Sequence, residues 1–139
     1  MQDVDLQERS ITIRPNGVRT LKTKGSQRTL PLSERALELL QEHRRGKGDT
    51  QPIFEDYARP RGRDAASAML MKRLRRSITD KKLTMHSLRH RMKDKLRNTG
   101  CPEAISMAIL GHSTNTVAAN YGSGYALEVM REHMERVWE

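Results

Sequence analysis

The stretch His86-Ser87-Leu88-Arg89-His90 decides how the chain is organised, and it lies inside a segment that runs from Thr84 to Gly122. Thr84 can cap a helix that begins at Met85 and stops before Gly100. On that helix His86 and Arg89 are three residues apart and share one face. A guanidinium on this face can hold two phosphate oxygens while the imidazole donates another hydrogen bond. The stretch therefore predicts a helical frame for a phosphate site.

Further polar residues follow at short helix-and-turn intervals. Leu110-Gly111-His112-Ser113 comes next, and Tyr121 lies nine residues beyond His112. Phosphoryl transfer needs stabilisation of the non-bridging oxygens, a nucleophile and an acid for the leaving oxygen. A tyrosine nucleophile would leave a phosphotyrosyl intermediate, and a lysine on a basic hairpin can protonate the departing hydroxyl. The segment thus indicates a site for one phosphodiester with a phenol beside it.

Composition favours a duplex nucleic acid as the partner. The 139 residues carry 26 Lys and Arg against 17 Asp and Glu, a formal net charge of +9, which favours a polyanion. With 4% aromatic residues, a platform for stacking single strands is not expected. The single cysteine, Cys101, excludes an internal disulfide and argues against a structural zinc site. Without an apolar run of membrane length or a signal peptide, we expect a cytoplasmic protein with no membrane partner.

Periodicity predicts an α+β fold that is mainly α. Alternation and turn residues indicate strands at 10–14, 18–22 and 28–32, which would form a small three-stranded antiparallel sheet. Apolar spacing and capping residues predict the helices that follow. They run from Ser33 to near Gly46, over 65–78, over 85–98, from Pro102 to Gly111, over 114–120 and over 126–138. We expect a single domain over 1–139, with the sheet at 10–32 and the helical part with the site at 33–139.

Two basic regions are expected at the surface. The segment 59–63 is predicted to be an exposed irregular loop, and the helix 65–78 to place Ala65, Ala68, Met69 and Leu74 against the core and its basic residues, Arg75 included, outward. The segment 52–54 is expected to dock onto the core. Solvation is the simplest role for the exposed cations, and contact with duplex phosphate is the alternative. The candidate DNA-binding residues are Lys24, Arg28, Arg59, Arg61, Arg63, Lys72, Arg73 and Arg76.

In their order along the chain, these motifs resemble the catalytic end of the tyrosine recombinases, or phage integrases. The resemblance rests on the stretch 86–90, on 110–113 and on Tyr121 at its spacing from His112. The segment Lys22-Thr23-Lys24-Gly25-Ser26-Gln27-Arg28-Thr29-Leu30-Pro31-Leu32 also resembles that family's β-hairpin, which holds a catalytic lysine. The resemblance covers essentially the whole chain, and the order of the motifs is far more specific than any one of them.

The resemblance implies a role for each of these residues. Tyr121 is the nucleophile, and Arg89, His86 and His112 bind the phosphate that is attacked. Lys22 is the general acid, with Lys24 as the next candidate. It implies no metal and no other cofactor, double-stranded DNA attachment sites as partners, and a homotetramer in synapsis. The C-terminal helix 126–138 either packs onto a neighbouring protomer or folds back onto its own core.

One departure from the family concerns a further catalytic arginine. The family carries this arginine upstream of a segment like Asp3-Val4-Asp5-Leu6, with which the sequence opens. We therefore expect a fragment of a longer integrase that lacks this arginine. Losing one phosphate clamp would cost roughly 2.7–4 kcal/mol of transition-state stabilisation, by analogy with oxyanion-hole deletions. The fragment alone is expected to be inactive or nearly so.

Other interpretations stay open. A DNA-binding module without chemistry would show the same basic surface. A metallohydrolase would use His86 and His90, although Ser87 stands where a zinc protease has glutamate. Tyr57 and Tyr125 are the rival nucleophiles, the first far from the motif and the second four residues late. Taken alone, Arg89 would be an ordinary surface residue and Tyr121 a packing residue.

Overall fold

The structure is a computed structural model, and it describes residues 3–17, 20–21, 26–48, 50–112 and 124–138. The strands are β1 (Val4–Asp5), β2 (Ser10–Ile13) and β3 (Arg28–Pro31). The helices are α1 (Glu34–Arg44), α2 (Gly62–Leu74), α3 (Met85–Asn98), α4 (Glu103–Leu110) and α5 (Leu127–Trp138), with a 3-10 turn at Glu55–Tyr57. The predicted α+β, mainly α class is confirmed. None of the described helices has the length and apolarity needed to cross a bilayer.

The antiparallel sheet has the order β1-β2-β3. Its register pairs Val4 with Ile11 and Ile13 with Arg28. The strands predicted at 10–14 and 28–32 are present, but the third described strand is Val4–Asp5, which was not expected. Thr20 and Leu21 lie outside any strand, and 18, 19 and 22 lie outside the described residues. A two-residue strand carries no alternation, so only its pairing with β2 reveals it.

Local capping signals place most helix ends where they were predicted. The Ser33 hydroxyl accepts a hydrogen bond from the Ala36 N–H at 3.2 Å and begins α1. Thr84 and Ser87 form a capping box that begins α3. Gly111, at φ 66°, ends α4. The helix predicted at 114–120 lies outside the described residues.

Helix α2 differs from its prediction. It begins at Gly62, where a Cβ would lie 1.9 Å from the Tyr57 carbonyl oxygen, so the expectation that 59–63 is wholly irregular was wrong. Ala68 is exposed and Met69 is 41% exposed, which contradicts their predicted place in the core. The reason is that α2 lies at the edge of the domain, against α3 and the 3-10 turn.

Two further surface predictions were wrong. Arg75 does not extend freely into solvent: it is half-buried, and its guanidinium donates to the carbonyl oxygens of Asp80 and Leu83 at 2.8 and 2.7 Å. It thereby holds together the loop between α2 and α3. Phe54 does not dock onto the core: it is 53% exposed, and its ring meets that of His43 with 5.7 Å between the centroids.

The core lies between α3, α4, α5 and the sheet. Leu96 of α3 is fully buried at its centre. The helical spacing of Leu127, Met130, Met134 and Val137 predicts an apolar stripe on the last helix. The stripe is confirmed, since Leu127 packs against the core and the other three are buried within it. This helix thus packs onto its own chain. The buried cluster consists of Leu96, Cys101, Ile105, Ile109, Leu110, Met130, Met134 and Val137.

Candidate active site

The carboxyl end of α4 forms a tight turn, residues 107–112, which we call the α4 turn. The His112 N–H donates to the Met107 carbonyl at 2.9 Å and the Gly111 N–H to the Ala108 carbonyl at 3.1 Å. This pair of bonds is the Schellman motif, which needs a residue with positive φ at the position of Gly111. The motif directs the chain out of the helix and presents His112 at the surface directly after it.

Two arginines from distant parts of the chain bind the remaining carbonyls of this turn. Arg28 of β3 donates through Nε to the Ile109 carbonyl oxygen at 2.9 Å, across 81 residues of sequence. Arg89 of α3 donates through Nη2 to the Leu110 carbonyl oxygen. The end of a helix carries partial negative charge, so it stabilises cations placed there. The α4 turn thus gathers two guanidinium groups beside His112.

The electrostatics of His112 follow from this position. Although the side chain is exposed, partial loss of hydration lowers the pKa of His112, and the positive charges of Arg89, Lys93 and Arg28 lower it further. The imidazole is therefore neutral at pH 7 and can both donate and accept a hydrogen bond. Lys93 lies one helical turn after Arg89 on α3, which brings a third cation to the same place.

His86 lies at the other end of this helical face. It is exposed in the first turn of α3, and its ring meets that of His90 edge-on with 4.9 Å between the centroids. His86 precedes Arg89 by about one helical turn, and His90 directly follows Arg89 in the sequence. Among the described residues no three His, Cys, Asp or Glu side chains are grouped to hold a metal ion.

The other predicted catalytic residues fall outside the part of the chain that the structure describes. Tyr121, Lys22 and Lys24 lie outside the described residues. Of the rival tyrosines, Tyr57 is half-buried in the 3-10 turn, and Tyr125 is 44% exposed just before α5.

The predicted DNA-binding residues fall into three groups. Lys72, Arg73 and Arg76 are exposed on and just after α2. A second group lines a cleft of about 1030 Å³ between the sheet and the segment 50–64. Within it, Arg61 and Arg63 pair with Asp64 at 3.6 and 3.4 Å, and Arg59 donates to the Asp56 carbonyl at 2.9 Å. Such exposed pairs are weak, so these cations remain available to phosphate. The cleft group is Arg59, Arg61 and Arg63.

Arg28 forms the third group by itself. Its guanidinium is bound on two sides, by the Ile109 carbonyl and, at 2.8 Å through Nη1, by the Ser26 carbonyl. Sequence reasoning put Arg28 in the basic hairpin and missed its position at the α4 turn. It also missed Lys93. The sequence carried a signal for this residue, because Lys93 is four residues after Arg89 on a helix whose phosphate-facing side was already predicted.

Comparison with known proteins agrees with this architecture. The phage integrase family model matches residues 1–126. The fold is similar to that of the Tn1549 transposon integrase, solved in complex with a circular intermediate DNA, with a TM-score of 0.50 and 24% identity. The match covers 97% of this chain and 51% of that one. The comparison with curated proteins gives no match. With a family model that spans nearly its whole length, the chain belongs to the phage integrase family.

Proposed function

We propose that this chain carries the catalytic residues of a site-specific DNA recombinase that cuts and rejoins DNA through a 3′-phosphotyrosyl link. The observation that carries the proposal is the gathering of Arg89 and a neutral His112 at the α4 turn, with Lys93 beside them. Cations grouped at one turn suit the negative charge that a phosphodiester develops as it is attacked. Membership in the integrase family supports site-specific recombination in general.

In this proposal each residue has a defined role. The Tyr121 phenol loses its proton to solvent, and its oxygen bonds to phosphorus while the bond from phosphorus to the 5′ oxygen breaks. Lys22, or Lys24 in its place, donates a proton to that leaving oxygen. Arg89, His112 and His86 hold the non-bridging oxygens. Because the phosphotyrosyl bond retains the energy of the broken bond, a 5′ hydroxyl of another strand can reverse the step and rejoin DNA.

The basic surface supports a duplex as substrate. The α2 cations and the cleft arginines would follow the phosphate backbone and would add affinity that falls steeply with salt. We extend the proposal to a tetramer in synapsis. In the structure the apolar stripe of α5 covers its own core, so exchange of this helix between protomers would require it to leave that place. Val129 and Trp138, each 39% exposed, are the apolar residues available for a contact that leaves the stripe in place.

The alternative is a DNA-binding module without chemistry, which the same exposed cations favour. Covalent capture separates the two, because binding alone cannot produce an adduct. The experiment incubates the protein with a nicked suicide duplex of its attachment site and looks for a denaturant-stable protein–DNA adduct. It uses the 139-residue chain and a longer chain that carries, before residue 1, the upstream arginine segment typical of the family.

We expect an adduct from the longer chain and little or none from the 139-residue chain. Tyr121→Phe should abolish it, whereas Tyr125→Phe, the matched control, should leave it. Arg89→Gln should slow adduct formation by about 10²–10³-fold, as expected for loss of one preorganised donor to the developing charge. Absence of any adduct from the longer chain, with salt-sensitive duplex binding intact, would establish the binding module instead.

A further inference from the structure

Every carbonyl at the end of α4 has a partner, and the partners come from three parts of the chain. The backbone N–H groups of His112 and Gly111 bind the carbonyls of Met107 and Ala108. Arg28 and Arg89 bind the two that remain, those of Ile109 and Leu110. The last carbonyls of a helix have no partner within the helix, and water can bind them. Here β3 and α3 both close onto them, so this turn is a junction between the sheet and the helix that carries the predicted phosphate ligand.

The fit of Arg28 at this junction is close. A Cβ on Gly111 would lie 2.4 Å from Nη1 and 2.7 Å from Cζ of Arg28, so the guanidinium lies against the glycine backbone where no side chain could stand. Burial, and then the positive charge of Arg89, lower the pKa of Arg28. Arginine nevertheless remains protonated in proteins. The chain therefore holds two like charges together at some electrostatic cost, which the two carbonyls offset.

We propose that Arg28 is a positioning residue for the phosphate site: it ties the start of β3 to the α4 turn and fixes His112 and Arg89 relative to each other. The inference rests on the proposed function. Its Nε binds the carbonyl of Ile109 in the α4 turn, and its Nη1 binds the carbonyl of Ser26, two residues before β3 begins. Ser26 follows the two candidate acids, Lys22 and Lys24, in the sequence. One planar group thus links the strand after the general acid to the turn before His112.

The assignment separates Arg28 from the arginines that would contact the duplex. A lysine could replace a phosphate contact, because a phosphate accepts from any cation. It could not replace Arg28, since its single nitrogen cannot reach two carbonyls with the planar fork of a guanidinium. Arg28→Lys therefore keeps the charge and removes the geometry, while Arg28→Gln removes both.

The test compares Arg28→Gln and Arg28→Lys with the control Arg35→Gln. Arg35 is an exposed residue of α1, paired with Glu38 at 2.9 Å. Its substitution changes the net charge equally, whereas the charges that lower the pKa of His112 are those of Arg89, Lys93 and Arg28. The first readout is the titration of the His112 ring by NMR in the 139-residue chain, without DNA. The second is the single-turnover rate of adduct formation by the longer chain, together with its dissociation constant for an uncleavable duplex.

We expect Arg28→Gln to raise the pKa of His112 and Arg28→Lys to raise it less, since the substituted side chain in the second variant retains a positive charge. Both should slow adduct formation between about 10-fold and 100-fold, because a misplacement of about 1 Å in a positioned group can cost about 100-fold. Duplex affinity should change little, and Arg35→Gln should alter neither readout. Melting curves of each variant confirm that it folds.

Two results would overturn the assignment. One is an unchanged titration of His112 in a folded Arg28→Gln chain. The other is a loss of duplex affinity that accounts for the whole loss of rate and that Arg28→Lys restores, since Arg28 would then be a phosphate contact. If the longer chain forms no adduct while Arg28→Gln and the charge-keeping Arg28→Lys both shift the His112 titration, the proposed chemistry fails and the placement of His112 by Arg28 stands.

Discussion

Helices α3 and α4 both end in a Schellman motif, but the surroundings of the two motifs differ. At the end of α3, residues 96–101 form what we call the α3 turn: the Cys101 N–H binds the Leu96 carbonyl at 2.9 Å and the Gly100 N–H binds the Arg97 carbonyl at 3.1 Å. These are the two bonds of the α4 turn, and both glycines have positive φ, 75° at Gly100 and 66° at Gly111. The backbone alone does not distinguish the two turns.

The difference lies in what surrounds each turn. A Cβ on Gly100 would meet no atom within 4 Å, whereas one on Gly111 would strike Arg28. The residue after each glycine is titratable. Cys101 is buried in the core, and burial raises the pKa of its thiol, so it stays protonated and unreactive. His112 is exposed among cations. The comparison teaches that a local motif sets the path of the chain, while distant residues decide whether the turn supports the core or forms a site.

The largest stability effect should come from the α3 turn. Leu96→Ala removes the fully buried side chain there and should lower the free energy of unfolding by about 2–5 kcal/mol. The matched control on the same helix is Leu88→Ala, at a residue that is 54% exposed, where a change within about 0.5 kcal/mol is expected. Denaturant unfolding measures both. Equal losses would contradict the placement of Leu96 at the centre of the core.

The glycine pair tests the comparison directly. Gly100→Ala should cost about 1–2 kcal/mol of unfolding free energy, because alanine is disfavoured at positive φ. Gly111→Ala carries the same penalty and also displaces the Arg28 guanidinium, so it should cost more and should shift the NMR titration of His112. Two results would contradict the distinction between the turns. One is a shift in the His112 titration caused by Gly100→Ala, and the other is an equal loss of unfolding free energy in the two variants.

The pH dependence of stability should report on the α4 turn. Because the folded state lowers the pKa of His112 below its ordinary value of 6.5, the unfolded chain binds more protons once the pH falls through that value. His112 therefore reduces stability as the pH falls from 7 toward the folded pKa, and has no such effect above pH 7. Comparing the unfolding free energy of the parent chain with that of His112→Asn from pH 7.5 to 5 isolates this loss. Parallel curves would contradict it.

The smallest effect should be a local one at the α3 turn. The Thr99 hydroxyl lies 3.0 and 3.1 Å from the carbonyl oxygens of Lys95 and Leu96 and donates to them. Thr99→Val removes this donor at similar volume and should cost about 1 kcal/mol. Thr99→Ser keeps the hydroxyl and should recover most of that loss in a melting experiment. A change in the His112 titration on Thr99→Val would show that the two turns are coupled.

The sequence was sufficient to predict a structural feature wherever the residues that determine it lie close together along the chain. Ser33, Thr84 and Gly111 act on backbone groups within a few residues, so the ends of α1, α3 and α4 could be predicted, and the apolar stripe of α5 could be predicted from its spacing. His86 and Arg89 share a helical face for the same reason. These features needed no knowledge of tertiary contacts.

The sequence was insufficient where a side chain binds a partner far along the chain, or where the exposure of a helix face depends on the elements packed beside it. Arg28 meets Ile109 across 81 residues, and nothing in the composition of the hairpin distinguishes it from a surface cation. Arg75 binds a loop that follows it, and so it does not extend freely into solvent as predicted. The exposure of Met69 depends on which elements flank α2, which periodicity does not reveal.

The most direct test of the central claim is to locate the nucleotide on the protein. The adduct from the suicide duplex would be treated with nuclease and trypsin and analysed by mass spectrometry. Tryptic peptide 98–131 contains both Tyr121 and Tyr125, so its fragmentation must assign the modified residue. We expect a deoxynucleotide phosphate on Tyr121. The same mass on Tyr125 or Tyr57, or on a residue other than tyrosine, would contradict the account.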